Sequence, residues 1–199
     1  MELENLVQAV TDSLFVELEA SGRHVHVTGE QAMTLFGHPL TPARPLSQPG
    51  QFLARERVTL VGEKGEFRDV AVLGPERREG QVEISLTDGR VLGIAPPVRL
   101  SGDVEGTPGI VLLGSNGRVE LTQGVIAAKR HIHLTPRAAA HFGVKNGENV
   151  KLKALTRRPV IFEDVSVRVS ERFAPFAHLD YDEANACGFC KGDLGRILK

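Results

Sequence analysis

The sequence has few cysteines, almost no net charge and no long apolar run. Its 199 residues include two cysteines and carry a formal net charge of −1. Two cysteines favour a reducing compartment. Because acidic and basic residues are interspersed, the chain predicts neither a surface for nucleic acid nor a charged patch for a membrane. With no apolar stretch of about 18 residues and no signal-peptide pattern, we expect an intracellular protein without a membrane-spanning helix.

The two cysteines, Cys187 and Cys190, form a single C-x-x-C near the C-terminus. A zinc knuckle needs a second ligand pair, and the sequence has no second C-x-x-C. We therefore expect two free, partly buried thiols, with a redox or cluster role as the alternative. An apolar content of 41% is enough for a substantial core, in one large or two small domains.

A basic two-histidine motif occurs twice. Residues 23–28, Arg-His-Val-His-Val-Thr, return as residues 130–135, Arg-His-Ile-His-Leu-Thr. In an extended segment, residues i and i+2 point to the same face, so each histidine pair can bind one ion while the residue between them enters a core. A single H-x-H arises often by chance, but two copies with matching neighbours favour a duplicated metal site.

The repeat continues beyond the histidines. Residues 69–72 correspond to residues 164–167. The offset in residue number between the two copies then stays constant along the chain. At that shift Glu83 aligns with His178, so each half offers a third candidate ligand. The further matched pairs are Glu76 with Glu171, Arg77 with Arg172, Ser85 with Asp180, Asp88 with Glu183, and Gly93 with Gly188.

The candidate ligands are five imidazoles and one carboxylate, a set that suits zinc better than calcium or magnesium. They are His24, His26, Glu83, His131, His133 and His178. This set can hold two ions, and an ion with three protein ligands keeps an open position for water or substrate, as in catalytic zinc sites. His38 and His141 lie outside the repeat and are expected at the surface.

Alternation of apolar and polar residues predicts a mostly β protein with short helices. Strands are predicted at 57–61, 67–73, 81–85, 110–113, 149–155 and 160–169. A helix is expected after each histidine motif, one with a Thr28 and Gln31 capping box and one with Thr135 as N-cap before Pro136. Each half is therefore predicted to be a small β-barrel or sandwich with a short helix.

The duplication and a Gly- and Pro-rich stretch at 103–109 predict the domain organisation. We expect one β-barrel domain at 21–105 and a related one at 106–199, preceded by an amphipathic helix within residues 1–20. The apolar stripe of that helix is formed by Leu6, Val7, Val10 and Leu14.

The segment 38–51 contains four prolines, which are expected to prevent regular helix or strand pairing. We predict a loop that either covers one metal site or lies on the surface. Arg77 is the candidate for anion binding, because a guanidinium beside a metal can grip phosphate or carboxylate. Arg23, Arg130 and Lys129 are weaker candidates, with a solvated charge as the alternative for each arginine.

Several segments of the chain, in their order along the sequence, carry a family resemblance. They are 21–27, 46–52, 72–75 with Arg77, 81–85, 99–103, 128–134 and 182–186. Together they resemble the PduL-type phosphate acyltransferases, also called phosphate propanoyltransferases, which are associated with bacterial microcompartments and propanediol degradation. Two departures from the family pattern, Gly22 for Asn and Gly89 for Ala, do not touch a candidate ligand.

The resemblance implies two tandem β-barrel domains with short helical caps, and a dinuclear zinc site held by the six candidate ligands. It implies the conversion of a short-chain acyl-CoA and phosphate to acyl phosphate and CoA, with Arg77 as the catalytic arginine. The implied coenzyme A contacts are Ser21, Arg44, Leu73 and Asn185. It also implies that the N-terminal segment is an encapsulation peptide for a microcompartment lumen, unless that segment is an ordinary helix. The two histidine motifs are then the halves of one composite active centre.

Three reactions or roles stay open for this ligand set. In the first, phosphate attacks acetyl-CoA or propanoyl-CoA directly, since no serine or cysteine nucleophile stands beside a base. A dinuclear zinc hydrolase would instead activate water and cleave the thioester without phosphate. A zinc-stabilised, non-enzymatic β module would hold each ion in a closed site. A homo-oligomer is compatible with all three.

Overall fold

The computed structural model describes residues 14–199. The predicted N-terminal helix therefore lies outside the described residues, apart from Leu14. Within the described part, no helix has the length and apolar character needed to cross a membrane.

The described chain is built from short strands and four short helices. Strands β1 to β15 are Val16–Ser21, His24–His26, Pro42–Pro45, Phe52–Val61, Glu66–Gly74, Gln81–Glu83, Val98–Arg99, Ile110–Leu113, Arg118–Leu121, Val125–Ala128, His131–Leu134, Asn149–Leu155, Val160–Val169, Phe176–Asp180 and Leu194–Leu198. Helices α1 to α4 of residues 14–199 are Gly29–Phe36, Leu86–Leu92, Pro136–Phe142 and Tyr181–Cys187.

The chain divides into two compact units. The first is formed by residues 22–129, and the second by residues 130–199 together with the described residues up to Ser21. We call them the sheet unit and the barrel unit. Two barrel-like β units with short helices confirm the predicted fold class.

The barrel unit is a closed six-stranded barrel in the order β1-β14-β11-β13-β12-β15. Along β12 buried and exposed residues alternate from Asn149 to Leu155, because successive side chains of a strand point to opposite faces. Its largest fully buried side chains are Leu18, Ile132, Leu134, Leu152 and Leu179.

The sheet unit is a nine-stranded sheet in the order β7-β10-β6-β2-β5-β4-β8-β9, with β3 paired to β4. Unlike the barrel, it is not closed among the described strands. Val25, between the two histidines of β2, is fully buried, as alternation predicts. The large core side chains are Leu35, Leu60, Leu92 and Leu112.

The first strand of each repeat belongs to the unit that contains the other repeat. Strand β1 precedes the first histidine motif but lies parallel to β14, with Glu19 opposite His178. Strand β10 precedes the second motif but lies parallel to β6, with Ile126 opposite Glu83. Glu19 and Ile126 therefore occupy equivalent positions in the two sheets. Each repeat contributes its first strand to the sheet of the other repeat.

The bounds of the two compact units differ from those of the predicted domains. In the structure the chain divides after Ser21 and after Lys129, and the residues up to Ser21 belong to the second unit. The predicted boundaries were between residues 20 and 21 and between residues 105 and 106. The physical reason is strand pairing: β8 pairs with β4, and β10 pairs with β6. The Gly- and Pro-rich stretch at 103–109 is thus a connection within the sheet unit.

Each of the four helices in residues 14–199 begins at a capping side chain and ends at a glycine with positive φ. The N-caps are Thr28, Ser85, Thr135 and Asp180, and the C-caps are Gly37, Gly93, Gly143 and Gly188. The predicted capping box of Thr28 with Gln31 is confirmed, as is Pro136 in the first turn of α3. Helices α2 and α4 were not predicted.

The expectation that prolines exclude strand pairing in segment 38–51 was wrong. Strand β3, Pro42–Pro45, is exposed along its length and pairs with β4 alone, with a register shift between Pro42 and Arg44. An edge strand tolerates proline because the missing N–H group can face away from the only neighbouring strand.

Candidate metal clusters and their surroundings

The first ligand cluster lies on two antiparallel strands of the sheet unit. Strand β2 carries His24 and His26, and β6 carries Glu83 directly opposite His24. All three side chains are buried, and their ligand atoms lie within 4.8 Å of one another. His24 Nε2 is 3.5 Å from Glu83 Oε2. The alternation of β2 therefore places both imidazoles on the face that Glu83 shares.

The second cluster repeats this register in the barrel unit. Strand β11 carries His131 and His133, and β14 carries His178 opposite His131. Their ligand atoms also lie within 4.8 Å of one another. The His131 and His178 rings stack with an interplanar angle of 11°. Each half thus brings its three predicted ligands together.

Backbone carbonyls fix the histidines of the first cluster. The Nδ1 atom of His24 lies 2.8 Å from the Gly22 carbonyl oxygen, and that of His26 lies 3.1 Å from the Leu73 carbonyl oxygen. Because a carbonyl only accepts, each Nδ1 is the donor, and in a neutral ring Nε2 keeps its lone pair. Metal-binding histidines commonly use one ring nitrogen in this way, so the residues fit a zinc ion.

In the first cluster, burial and neighbouring charges shift the pKa values of two imidazoles and one carboxylate. Burial lowers the pKa of His26 well below its usual value, and the charges of His24 and Arg77 lower it further. Burial also lowers the pKa of His24, but the charge and hydrogen bond of Glu83 outweigh it, so the net shift is upward. For Glu83, burial raises the pKa, but His24 outweighs burial and holds it below its usual range.

The second cluster contains a buried histidine with unsatisfied ring nitrogens. Among residues 14–199, neither Nδ1 nor Nε2 of His133 has a hydrogen-bond partner. Burial and the charges of His131, His178 and Arg168 lower the pKa of His133 to about 2, so the ring is neutral at physiological pH. A buried polar atom without a partner is costly, and a metal ion would satisfy it. This cluster fits zinc as well.

Arg77 lies beside the first cluster, where the sequence placed it. Its backbone N–H donates to the Val27 carbonyl oxygen at 2.8 Å, and its Nη1 donates to Ser101 Oγ at 3.1 Å. Through Ser101 and Gln81 this guanidinium is linked to Glu83, and its charge opposes protonation of His26 by lowering the pKa of that ring. The site therefore combines a three-ligand cluster with a cation that can bind an anion.

Arg23 and Arg130 form internal ion pairs rather than solvated charges. Arg23 bonds Asp88 through two atoms, with Nη2 to Oδ1 at 2.7 Å and Nε to Oδ2 at 3.1 Å. Arg130 Nη1 bonds Glu183 Oε1 at 2.6 Å. Asp88 and Glu183 are also the capping-box carboxylates of α2 and α4. Each arginine therefore connects the start of a histidine strand to the helix that follows the third candidate ligand of the same cluster.

The residues predicted to contact coenzyme A lie in both units. In the sheet unit, Arg44 is exposed on β3, and Leu73 lies on β5, where its carbonyl oxygen bonds His26. In the barrel unit, Ser21 ends β1, and Asn185 is exposed on α4.

The remaining sequence expectations concern surface histidines and thiols. His38 and His141 are exposed. Cys187 is buried and Cys190 is exposed, and both are free. Burial raises the pKa of the Cys187 thiol. These positions agree with two free thiols.

Sequence reasoning missed four polar residues around the clusters. Gln81 and Ser101 lie beside Glu83 and Arg77, Glu19 Oε2 lies 3.6 Å from His178 Nδ1, and Arg168 is paired with His133 in the β11 and β13 register. For Gln81 the signal was present, because it stands two residues before Glu83 on the same strand face. The other three depend on contacts between segments far apart in the chain, which a single sequence does not reveal.

Comparison with known proteins agrees with this arrangement. The family model described as phosphate propanoyltransferase matches residues 17–190. A phosphate propanoyltransferase from Enterococcus faecalis is 55% identical over 185 residues, which is 92% of this chain and 88% of the relative. One from Clostridioides difficile is 50% identical over 199 residues, covering 99% and 95%. One from Thermotoga maritima is 53% identical over 182 residues, covering 90% and 87%. This chain belongs to the phosphate propanoyltransferase family.

Proposed function

We propose that this protein is a phosphate acyltransferase that converts a short-chain acyl-CoA, propanoyl-CoA or acetyl-CoA, and phosphate to acyl phosphate and CoA. The observation that carries the proposal is the hydrogen-bonded connection of Arg77 to the buried cluster of His24, His26 and Glu83. Membership of the family supports the same reaction class. A cation next to a metal-ligand cluster suits a reaction between two anionic substrates.

Each cluster is proposed to hold one zinc ion. The first ion would be held by His24, His26 and Glu83, and the second by His131, His133 and His178. When bound, zinc supplies Lewis-acid stabilisation for the oxygen that becomes negative as the thioester carbonyl is attacked. The two sets differ in charge, because only the first includes a carboxylate, and this difference supports unequal roles for the two ions.

Arg77 is proposed to bind the attacking phosphate. A phosphate oxygen forms a bond to the thioester carbon, the carbon–sulfur bond breaks, and CoA leaves as a thiolate. A guanidinium offsets the charge of the phosphate dianion and can hold two of its oxygens in one orientation. Holding the phosphate beside the acyl group also removes much of the entropic cost of bringing two reactants together.

Coenzyme A is proposed to contact Ser21, Arg44, Leu73 and Asn185. Arg44 offers an exposed positive charge for the phosphate groups of coenzyme A, and Asn185 and Ser21 offer polar atoms. Leu73 already bonds the His26 ring through its carbonyl oxygen, so its neighbourhood adjoins the first cluster. Substitution of Arg44 by Ala is expected to raise the KM for acyl-CoA while leaving the KM for phosphate unchanged.

The proposed reaction is tested by measuring CoA release from acetyl-, propanoyl- and butanoyl-CoA, with and without phosphate, alongside the metal content. We expect release that requires phosphate and produces acyl phosphate. A zinc-dependent thioester hydrolase would release CoA equally well without phosphate. A non-enzymatic zinc module would bind metal and release no CoA in either condition. One methylene distinguishes acetyl from propanoyl, so we expect less than about a 200-fold preference between them.

The direct attack of phosphate is tested by single-turnover labelling. Protein mixed with acyl-labelled CoA in the absence of phosphate is expected to carry no covalent label, because no serine or cysteine nucleophile is assigned. A stable acyl-protein whose label is released by phosphate would show a two-step reaction through an acyl-enzyme instead.

The protein is proposed to work inside a bacterial microcompartment. The support is the family resemblance and the apolar stripe of the N-terminal segment in the sequence, which ends at Leu14. Deletion of residues 1–13 is expected to abolish co-sedimentation with microcompartment shells without changing turnover. Equal recovery of both proteins with the shells would count against targeting by this segment.

A further inference from the structure

A partly buried hydrogen-bond network connects Arg77 to Glu83. Gln81 Nε2 donates to Glu83 Oε1 at 2.6 Å and lies 2.9 Å from Ser101 Oγ. Arg77 Nη1 donates to the same Ser101 Oγ at 3.1 Å. The Gly102 N–H donates to Gln81 Oε1 at 2.7 Å, which fixes the amide so that its NH₂ group faces the carboxylate.

The Ser101 hydroxyl is the branch point of this network. A serine oxygen has two lone pairs and one hydrogen. Arg77 and Gln81 donate to the two lone pairs, so the hydrogen is left for an acceptor. The Ser101 oxygen thereby joins the Arg77 guanidinium to the amide that donates to Glu83.

The equivalent place in the barrel unit lacks this network. Gln81 lies opposite His26 on β6, and at the same register Phe176 lies opposite His133 on β14. A phenylalanine cannot hydrogen-bond a ligand or a serine. The amide is thus a feature of the half that contains Arg77, which argues for a role specific to that site rather than for the stability of the repeated fold.

We propose that Ser101 is a positioning residue, which through its hydroxyl holds the Arg77 guanidinium in a fixed place relative to the Glu83 carboxylate, with Gln81 as the second anchor. This inference rests on the proposed function for its kinetic consequence but not for its effect on the metal cluster. Groups that orient a metal ligand typically change metal affinity or activity by about 10- to 100-fold when removed.

The test compares Ser101→Ala with Ser101→Thr, each alone and with Arg77→Ala. Zinc affinity is measured by chelator competition, and kcat and the KM for phosphate by CoA release. We expect Ser101→Ala to weaken zinc binding at one of the two sites and to lower kcat, each by about 10-fold or more. Ser101→Thr keeps the hydroxyl and is expected to restore both. In the Arg77→Ala background, Ser101→Ala should lower kcat by less than about two-fold, since coupled residues are not additive.

Thr107→Val is the matched control. Thr107 is a buried residue of the same unit whose hydroxyl donates to Val104 and accepts from Gly124. Its removal is expected to lower stability while leaving zinc affinity and kcat within about two-fold, because neither partner is a ligand. A change in zinc affinity as large as that of Ser101→Ala would show that any lost hydroxyl disturbs the site and would overturn the inference.

The remaining outcomes separate this inference from the proposed function. If the wild-type protein turns over and Ser101→Ala matches it in zinc affinity and kcat, only the inference fails. It also fails if the loss in kcat is equally large with and without Arg77. If the wild-type protein binds zinc but shows no phosphate-dependent CoA release, the proposed function fails and the zinc affinities still decide the role of Ser101. If the wild-type protein binds no zinc, both fail.

Discussion

The two repeats hold their candidate ligands in one register but complete their sheets differently. His24 lies opposite Glu83 as His131 lies opposite His178, and each histidine strand also pairs in parallel with a strand that contains a positive-φ aspartate, Asp69 or Asp164. The barrel unit closes with six strands, whereas the sheet unit runs to nine strands and is not closed among the described residues.

The chemistry differs where single side chains differ on this common register. The third ligand is a carboxylate in one half and an imidazole in the other. Arg77 and its Ser101 contact accompany the carboxylate, while at the repeat-equivalent place Arg172 is exposed. Duplication thus supplies two similar ligand clusters, and a few substitutions give only one of them a carboxylate ligand linked to an arginine through Ser101 and Gln81.

The largest expected effect concerns the exchanged strand β1. Deletion of residues 1–21 removes the only strand between β14 and β15 and leaves their facing backbone groups unpaired. We expect the barrel unit to lose its cooperative unfolding transition, measured by chemical denaturation. Deletion of residues 1–13 keeps β1 and is the control. If the longer deletion kept both the transition and its denaturant dependence, the barrel would not depend on strand exchange.

A second comparison sets Arg77 against its repeat partner Arg172. Arg77→Ala is expected to lower kcat by about 100- to 1,000-fold, the usual loss when one donor to developing charge is removed. Arg172→Ala is expected to stay within about two-fold, because this exposed residue is not part of the proposed site. Steady-state CoA release at saturating phosphate measures both. Equal losses would mean that the halves share the anion-binding task.

A third comparison concerns the unequal third ligands. Glu83→Gln removes the charged oxygen of the first cluster, and His178→Ala removes one imidazole of the second. Each is expected to lower the zinc bound per chain by about half after dialysis against a weak chelator, since each cluster would keep two ligands. Metal analysis measures this. Loss of all zinc from either variant would show that the two ions bind only together.

The smallest expected effect comes from the paired arginines. Arg23→Ala and Arg130→Ala each remove a charged hydrogen-bond partner from the partly or largely buried Asp88 or Glu183. We expect a loss of about 1–2 kcal/mol in the free energy of unfolding, because part of each pair is screened by solvent. Arg23 should cost more, since it bonds Asp88 through two atoms. Urea denaturation measures the free energy of unfolding of each variant. If neither variant showed a measurable loss, the arginines would have no internal structural role.

The sequence was informative about the clusters because duplication is visible in it. The shift that aligned Glu83 with His178 also aligned Ser85 with Asp180, and in the structure these pairs occupy the same register and the same N-cap positions. Alternation on β2 and β11 then placed each histidine pair on one face. The ligand groupings followed from local patterns, which a single sequence contains.

The unit boundaries could not be predicted in the same way. Nothing local to β1 shows that it lies beside His178 rather than Glu83, because a strand pattern specifies a buried face and not a partner. The same limit hid Ser101, whose contact with Arg77 spans 24 residues. Strand β3 was missed for a different reason: the rule against proline in strands is relaxed at an edge.

The central claim is that turnover needs phosphate, zinc and both clusters. The most direct measurement is acyl phosphate formation from propanoyl-CoA by metal-free protein as zinc is restored, with wild-type protein beside the Glu83→Gln and His178→Ala variants. The account predicts no product without zinc or phosphate, recovery in the wild-type protein, and little recovery in either variant. Full activity of the metal-free protein, or CoA release that does not change when phosphate is omitted, would contradict it.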